Sequence, residues 1–514
     1  MPGSFPDGHR DVHDHHRDRP PEESSALPRE AAPQEAVRYE VPRGAPRGGD
    51  RHGDFRTRLA AAVTGSSDTP LVLLGNFEVE RQWARGEHTL PRLSALSANA
   101  VVNRMDEFTL LLAGEHDHVV LKTQPDGAYL AYLSGLGMLL PTVHTVGGQD
   151  PQRTVTEDAL ADPVLLRTLA GLAAAGAHLV PHGVSEPEER LAATTGMPVA
   201  GPGAALCKSV NSKVYSRRVA DELGLRQPRG WTCETVAELG AALAAAVSVP
   251  TAPFVVKEAF GVSGKGIATL DGPRRADRVH RMVARQAERS GRDAVAFVVE
   301  EWVAKRADLN YQFTVGRDGS TRFDFVKELL TEGGVHRGHR MPAGLSAAQF
   351  HEVVTTAELL GKRLAADGYF GVVGVDAMVD EAGGLYPVVE INARHNMSTY
   401  QARLQEQFVC DDRIALARHY PVHLDAPLPF DRLQVLLEGL LLDGCGGNGL
   451  LVNNFATVNA GFPPDTGPRT DRTTPGGPVD GRLYGILVAD SDDELTALDA
   501  EITACLPSRR GHGS

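Results

Sequence analysis

The sequence predicts an open α/β unit followed by α+β architecture, and three stretches carry that reading. Strand-like apolar runs alternate with helical stretches between residues 70 and 183, as in a sheet covered by helices. FVVKEAFGVSGKGIATL (254–270) places a glycine-rich turn between two strands. VVGVDAMVDEAGGLYPVVEINARHN (372–396) reads as a β-hairpin, with apolar runs flanking a polar turn from Asp380 to Gly384.

At 514 residues, 42% of them hydrophobic and 23% charged, the chain has the size and composition of two to four globular domains. A formal net charge of −14 argues against general affinity for nucleic acid, whose backbone needs clustered Lys and Arg. Five cysteines (Cys207, Cys233, Cys410, Cys445 and Cys505) form no C-x-x-C pair. That pattern fits neither a disulfide scaffold nor a zinc site and suits a reducing cytoplasm. No apolar run approaches the roughly 20 residues that span a bilayer, and the N-terminus lacks the apolar core of a signal peptide. The expectation is a soluble cytoplasmic protein with no membrane and no nucleic-acid partner.

Residues 1 to about 60 are rich in Pro, Gly and charge, so a disordered tail is expected there. His13, His15 and His16 in that tail could chelate a metal or simply be solvated. Order is expected from PLVLLGNFEVE (70–80), a buried strand ending at a Gly-Asn turn. Strands follow at HVVLKT (118–123) and AHLVPHG (177–183), with a helical stretch over DALADPVLLRTLAGLAAAG (158–176). No G-x-G-x-x-G follows the first strand, which leaves nicotinamide or flavin binding unsupported. Lys213 opens an amphipathic helix, and Ser491 is placed to cap a helix after the strand in GRLYGILVAD. The expected division is a tail (1–60), an N-terminal α/β domain (61–205), a central domain (206–426) and a small C-terminal α+β domain (427–514).

With the hairpin turn centred on Gly383, Asp376 lies directly opposite Glu390. Residues so placed have Cβ atoms about 5 Å apart, where like charges repel. Glu390 and Asn392 share a strand face. Mg²⁺ takes hard oxygen ligands, usually one or two carboxylates with phosphate oxygens and water. The hairpin is therefore either a metal platform or an edge hairpin with solvated acids. In the glycine-rich turn, Gly261, Gly264 and Gly266 let backbone N–H groups approach phosphate oxygens, and Ser263 adds a hydroxyl. It is not a Walker A loop, since Gly266 rather than Ser or Thr follows Gly264-Lys265. A flexible turn is the plainer reading. VAFVVEEWVAKRADLN (295–310) ends a buried strand at Glu300, Glu301, Trp302 and Val303, whose backbone could meet adenine while Asp308 accepts from ribose hydroxyls. Trp302 is otherwise a core aromatic. Lys213 lies near a helix N-terminus, where anions are favoured. Lys327 lies on a strand with alternating apolar neighbours, where an inward ammonium needs an anionic partner.

In their order along the chain, Lys213, Lys257 with its glycine loop, EEWV with Asp308, Lys327, and then Asp376, Glu390 and Asn392 resemble the ATP-grasp fold. The resemblance implies an ATP-grasp domain preceded by a Rossmann-like α/β domain and followed by a small α+β domain. It implies a carboxylate activated as an acyl phosphate, which an amine then attacks, releasing ADP and phosphate. Lys213 and Lys257 would contact the nucleotide phosphates or adenine, and Gly261 to Gly266 would cover the phosphates. Glu300 to Val303 would bind adenine, Asp308 the ribose, and Lys327 the γ-phosphate side. Asp376, Glu390 and Asn392 would hold Mg²⁺. Arg394, two residues past Asn392 and on the same strand face, could stabilise a tetrahedral intermediate or phosphate charge. His395 could be a base or a structural hydrogen-bonding group.

LVLLGNFEVE, VVNRMDEF (101–108), GPGAALCKSVNSK (201–213) and the segment after Pro427 resemble ligases of the pheganomycin peptide ligase type. That likeness implies coupling a small, guanidino-bearing, nonproteinogenic amino acid to the N-terminal amine of a peptide, in the biosynthesis of a peptide natural product. ATP and Mg²⁺ are the implied cofactors, and a homo-oligomer is possible. An acidic pocket for a guanidinium would draw on Asp106, Glu107 or Glu78. HRGHR (336–340) could anchor a substrate carboxylate or be a solvated basic loop. Two alternatives stay open. One is a biotin-dependent or other ATP-grasp carboxylase, which shares E-x-N-x-R at Glu390 to Arg394, although this chain has no Met-Lys-Met biotin acceptor. The other is a non-catalytic nucleotide-binding scaffold.

Overall fold

The computed structural model describes residues 53–90, 98–249, 253–261, 266–332, 335–409, 413–462 and 477–508. Ser263, Gly264 and the histidines of the N-terminal tail lie outside these residues. The first helix, Phe55–Thr64, begins inside the stretch read as tail. Asp54 caps it by accepting from Thr57 N–H, and Phe55, Leu59, Ala60 and Val63 bury one face. That i, i+4, i+8 spacing is an apolar stripe the polar surroundings conceal.

The first sheet is parallel, in the order β3 (Thr142–Thr145), β2 (His118–Leu121), β1 (Leu71–Leu74), β4 (His178–Pro181). β1 has all four residues buried, as a central strand covered on both faces must. The helical stretch expected over 158–176 is two helices, Val155–Leu160 and Pro163–Ala174. Asp162 caps the second, with Pro163 as its first residue, where the missing N–H is no loss.

The second sheet orders β5 (Gly230–Thr235), β8 (Ala294–Glu301), β6 (Phe254–Glu258) and β7 (Ile267–Leu270), all antiparallel. Helices Val236–Val247 and Pro273–Ser290 supply Leu239, Leu243, Val279 and Val283 to its core.

The third sheet has eight strands, β13 (Leu385–Asn392), β12 (Gly371–Asp380), β9 (Lys305–Val315), β10 (Thr321–Glu332), β11 (Val335–Met341), β14 (Ile414–Leu424), β16 (Val479–Ala489) and β15 (Gly449–Asn454). β9 alternates cleanly. Leu309, Tyr311, Phe313 and Val315 share a core with Val353, Ala357, Leu360 and Leu364 of helix Ala347–Ala366. Asn310, Gln312 and Thr314 face the other way. Helix Asp492–Cys505 follows β16 and is capped by Ser491.

The hairpin has the anticipated pairing of Asp376 with Glu390, but its turn does not. Val379 pairs with Leu385, which centres the turn one residue before Gly383. Between the two regions Ala377 alone faces Pro387, Val388 and Val389, and this bulge restores the register. Proline has no N–H for a ladder, so a bulge on an edge strand suits it. Tyr311 Oη donates to the freed Pro387 carbonyl (2.9 Å). Among the described residues no helix is long and apolar enough to cross a membrane.

Candidate active site

Register across the third sheet aligns Lys327 (β10), Asn310 (β9), Asp376 (β12) and Glu390 (β13) in one row. Directly paired residues share a face, so four separate strands present a continuous polar band. The neighbouring row holds Gln312, Gly374 and Asn392. A Cβ on Gly374 would lie 2.2 Å from Asn396 Nδ2, so any larger residue there must displace the Asn396 amide. Asn310 Nδ2 donates to Asp376 Oδ1 (2.9 Å) and Asn392 Nδ2 to Asp376 Oδ2 (3.3 Å). Burial and then the facing Glu390 carboxylate push the Asp376 carboxyl up to about 6, against the pull of Asn310, Arg394 and Lys213.

Cations surround this band, each already paired. Helix Lys213–Glu222 is registered on the edge strand by Ile391 N–H, which donates to Ser216 Oγ (3.0 Å). Lys213 Nζ then sits 2.6 Å from Glu390 Oε1 and donates to the Gly261 carbonyl (2.8 Å). One turn later Arg217 reaches Glu300 of the second sheet (3.2 Å), and Lys257 pairs with the same carboxylate at 2.5 Å. One short helix thus joins the two sheets by two ion pairs. Arg394 lies beyond the last residue of β13, in the following loop rather than on the strand face expected for it. Its Nη2 still donates back to Asn392 Oδ1 (3.1 Å), and Nη1 donates to the His395 carbonyl (2.9 Å).

Lys327 corrects a physical premise of the sequence reading. It is completely buried, yet its Nζ donates to Gln401 Oε1 (2.9 Å) and approaches the Ser398 carbonyl (3.5 Å), with no carboxylate paired to it among the described residues. Burial drives the amine well below its ordinary pKa, which lowers the cost of keeping it inside without an anionic partner.

The other anticipated residues divide. Gly261 and Gly266 form the base of the glycine-rich turn, where Glu258 N–H donates to the Gly266 carbonyl (2.8 Å) and Gly266 has φ +85°. A Cβ on Gly266 would meet the Glu258 carboxylate at 2.7 Å. Glu301 and Trp302 donate their N–H groups to the Arg229 and Pro253 carbonyls, fixing the end of β8 beside Val303, and the Trp302 ring is 48% exposed. Asp308 is held by Lys305 (2.6 Å). Arg340 of the basic stretch pairs with exposed Asp492 (2.6 Å), which takes it from any substrate role at rest. Glu107 Oε2 accepts from Phe455 and Ala456 N–H (2.6 and 2.7 Å), and Asp106 accepts from Lys122 N–H (2.6 Å), so both carboxylates are committed to structure. Burial pushes the His395 ring down to about 4, which keeps it neutral, and the backbone N–H of His395 donates to the His182 carbonyl (2.9 Å).

The Pre ATP-grasp domain family matches residues 105–197 of this chain. The chain is also similar to a [butirosin acyl-carrier protein]–L-glutamate ligase of Niallia circulans, 25% identical over 325 residues, which covers 62% of this chain and 71% of that one. Residues 105–197 thus carry a Pre ATP-grasp domain, and the similarity to the ligase extends over 325 residues. A phosphoribosylamine–glycine ligase of Leifsonia xyli subsp. xyli is 38% identical over 89 residues, 17% of this chain and 19% of its own. Among solved structures, an N5-carboxyaminoimidazole ribonucleotide synthetase from Thermus thermophilus aligns at 15% identity and TM-score 0.47, over 86% of this chain and 100% of that one. A likeness that loose carries no argument about chemistry.

The residues of this site fit a hard divalent cation. Asp376, Glu390 and Asn392 offer oxygen donors from two adjacent strands, and Asn310 Oδ1 is a buried acceptor without a partner beside Asp376. Among the described residues no group of three or more His, Cys, Asp or Glu could hold a metal. A cation here would therefore rest on two carboxylates plus amide oxygens, the hard donor set that Mg²⁺ accepts.

Sequence reasoning missed Asn310, Gln312, Arg217 and Glu80. The first two were visible in LNYQFTV (309–315), whose strict alternation gives a strand with one polar face. Arg217 is one turn from Lys213 and follows from helical spacing. Glu80 carries no local signal, because its partner Arg394 is distant in sequence.

Proposed function

We propose that this chain is an ADP-forming peptide ligase that activates the carboxylate of a small, guanidino-bearing amino acid and joins it to the N-terminal amine of a peptide. The observation that carries the reading is the polar row from Lys327 to Glu390, with Asp376 raised by burial and then by the carboxylate placed against it. A scaffold gains nothing from that repulsion, whereas a site for Mg²⁺ and phosphate relieves it. Lys213 and Lys257 bind the phosphates, Gly261 to Gly266 cover them, Glu300 to Val303 with Asp308 take adenosine, and Asp376, Glu390 and Asn392 hold Mg²⁺. Mg²⁺, when bound, supplies charge neutralisation for the phosphate oxygens. A donor carboxylate oxygen bonds to the γ-phosphorus as the β–γ bridging oxygen leaves with ADP. Arg394 and Lys327 face the negative charge on the acyl phosphate and on the tetrahedral adduct. The amine nitrogen bonds to the acyl carbon and loses a proton, and phosphate departs.

The similarity to a ligase named for L-glutamate and an acyl-carrier protein favours a second reading, in which the acceptor is presented by a carrier protein. Phosphorus NMR with ATP, Mg²⁺, a panel of amino and guanidino acids, and acceptors that are free or carrier-bound decides between them. ADP and phosphate with a free peptide support the peptide ligase, whereas turnover confined to carrier-bound acceptors supports the second reading. AMP and pyrophosphate would sink both.

A further inference from the structure

We infer that Glu80, from the N-terminal α/β region, is the positioning residue that aims Arg394 at the reacting groups. The inference rests on the ligase reading of the site. Glu80 is the second residue of helix Val79–Trp83, which leaves the carboxyl end of β1. That helix is firmly seated. Val79 is fully buried, Trp83 is 3% exposed and donates through Nε1 to the Val184 carbonyl (3.0 Å), and Asn76 Nδ2 donates to the Gly183 carbonyl (2.8 Å). Glu80 Oε1 lies 2.5 Å from Arg394 Nε, and both side chains are 13% exposed. The Nε–H does not point along this contact, so it is a charge–charge contact rather than a directed hydrogen bond.

Arg394 is gripped from two elements at once. His395 N–H, one residue on, donates to the His182 carbonyl just past β4, which fixes the backbone on the same parallel sheet that carries Glu80. The guanidinium has five N–H donors. Nη1 and Nη2 each commit one, to the His395 carbonyl and to Asn392 Oδ1, so each keeps one for a substrate oxygen. Glu80 sits at the Nε side and leaves those two available. Through Asn392, which donates to Asp376, the same arrangement continues to the carboxylate pair of the hairpin. No other described carboxylate pairs with Arg394.

A positioning role makes a specific demand on kinetics. In the full-length protein, Glu80→Gln keeps the size and removes the charge. It should lower kcat about ten- to hundredfold, the weight of a charge-assisted contact, with KM for ATP unchanged. Glu80→Asp should recover part of the loss. Adding Glu80→Gln to Arg394→Lys should cost nothing further, because the residue being aimed has already been altered. Losses that multiply in the double variant, or a change confined to KM, would overturn the inference and make Glu80 an independent contact. Wild-type turnover itself tests the ligase reading. Should the wild type show none with any pair, a crystal structure of the Glu80→Gln protein decides. Arg394 swinging away from Asn392 and the His395 carbonyl supports the inference, and an unmoved Arg394 ends it.

Discussion

Asp376 and Lys327 are built against the stability of the empty protein, and that can be measured residue by residue. Asp376 ionises near 6 in the fold, against an ordinary carboxyl value of 3.8. Its contribution is therefore intact below about 3.8 and is lost as the pH rises through 6. Without Mg²⁺ or nucleotide, Asp376→Asn should melt higher than wild type at pH 8, and the gap should close toward pH 4. Mg²⁺ should raise the melting temperature of the wild type and leave the variant unmoved, and a wild type indifferent to Mg²⁺ would remove the metal platform. Lys327→Met replaces a buried amine that has only neutral partners. It should raise the melting temperature while abolishing turnover, and full activity in this variant would take Lys327 out of the chemistry. Gly374→Ala drives a Cβ into Asn396 and should destabilise by about 1–3 kcal/mol, read by chemical denaturation.

At the scale of elements, what the sequence displayed was periodicity, and what it hid was pairing at a distance. The Asp376–Glu390 register was legible because a two-residue period forces opposed residues onto one face. The bulge at Pro387 was hidden, since a turn centre and a bulge trade against each other and leave the same carboxylates opposed. The helix break at Asp162-Pro163 was in plain sight as a cap followed by proline, whereas β3 is only four residues long and half-exposed. Ser263 and Gly264 of the glycine-rich turn lie outside the described residues. Glu107 shows how a carboxylate beside the first sheet can look functional and be structural, because it caps the chain where β15 ends. Burial pushes it up to about 7 from 4.5, so its contribution to stability falls as the pH rises across that window. Glu107→Gln should flatten the pH dependence of unfolding between about 4.5 and 7, and an unchanged slope would mean that the carboxyl ionises freely in the fold.

For the whole molecule, the notable property is that the site's cations arrive already paired: Lys213 with Glu390, Lys257 and Arg217 with Glu300, and Arg394 with Glu80. A triphosphate entering such a site exchanges partners with the protein's own carboxylates instead of meeting bare charge. The Glu390→Gln variant should therefore bind ADP more tightly than wild type when Mg²⁺ is absent, by isothermal titration calorimetry, because Lys213 is released. Weaker binding would argue against Lys213 as a phosphate contact. None of this exchange was readable from the chain, where Lys213 and Glu390 stand 177 residues apart and nothing local pairs them.

The third sheet carries one practical consequence for anyone recombining this chain with its relatives. β14 and β16 pair through eleven consecutive positions, from Ile414 with Ala489 to Leu424 with Val479, so the final strands share a sheet with the hairpin rather than standing apart. A chimera spliced between them would have to match two foreign edges rung by rung. Its junctions belong ahead of β14, so that β14, β15 and β16 are all taken from a single parent.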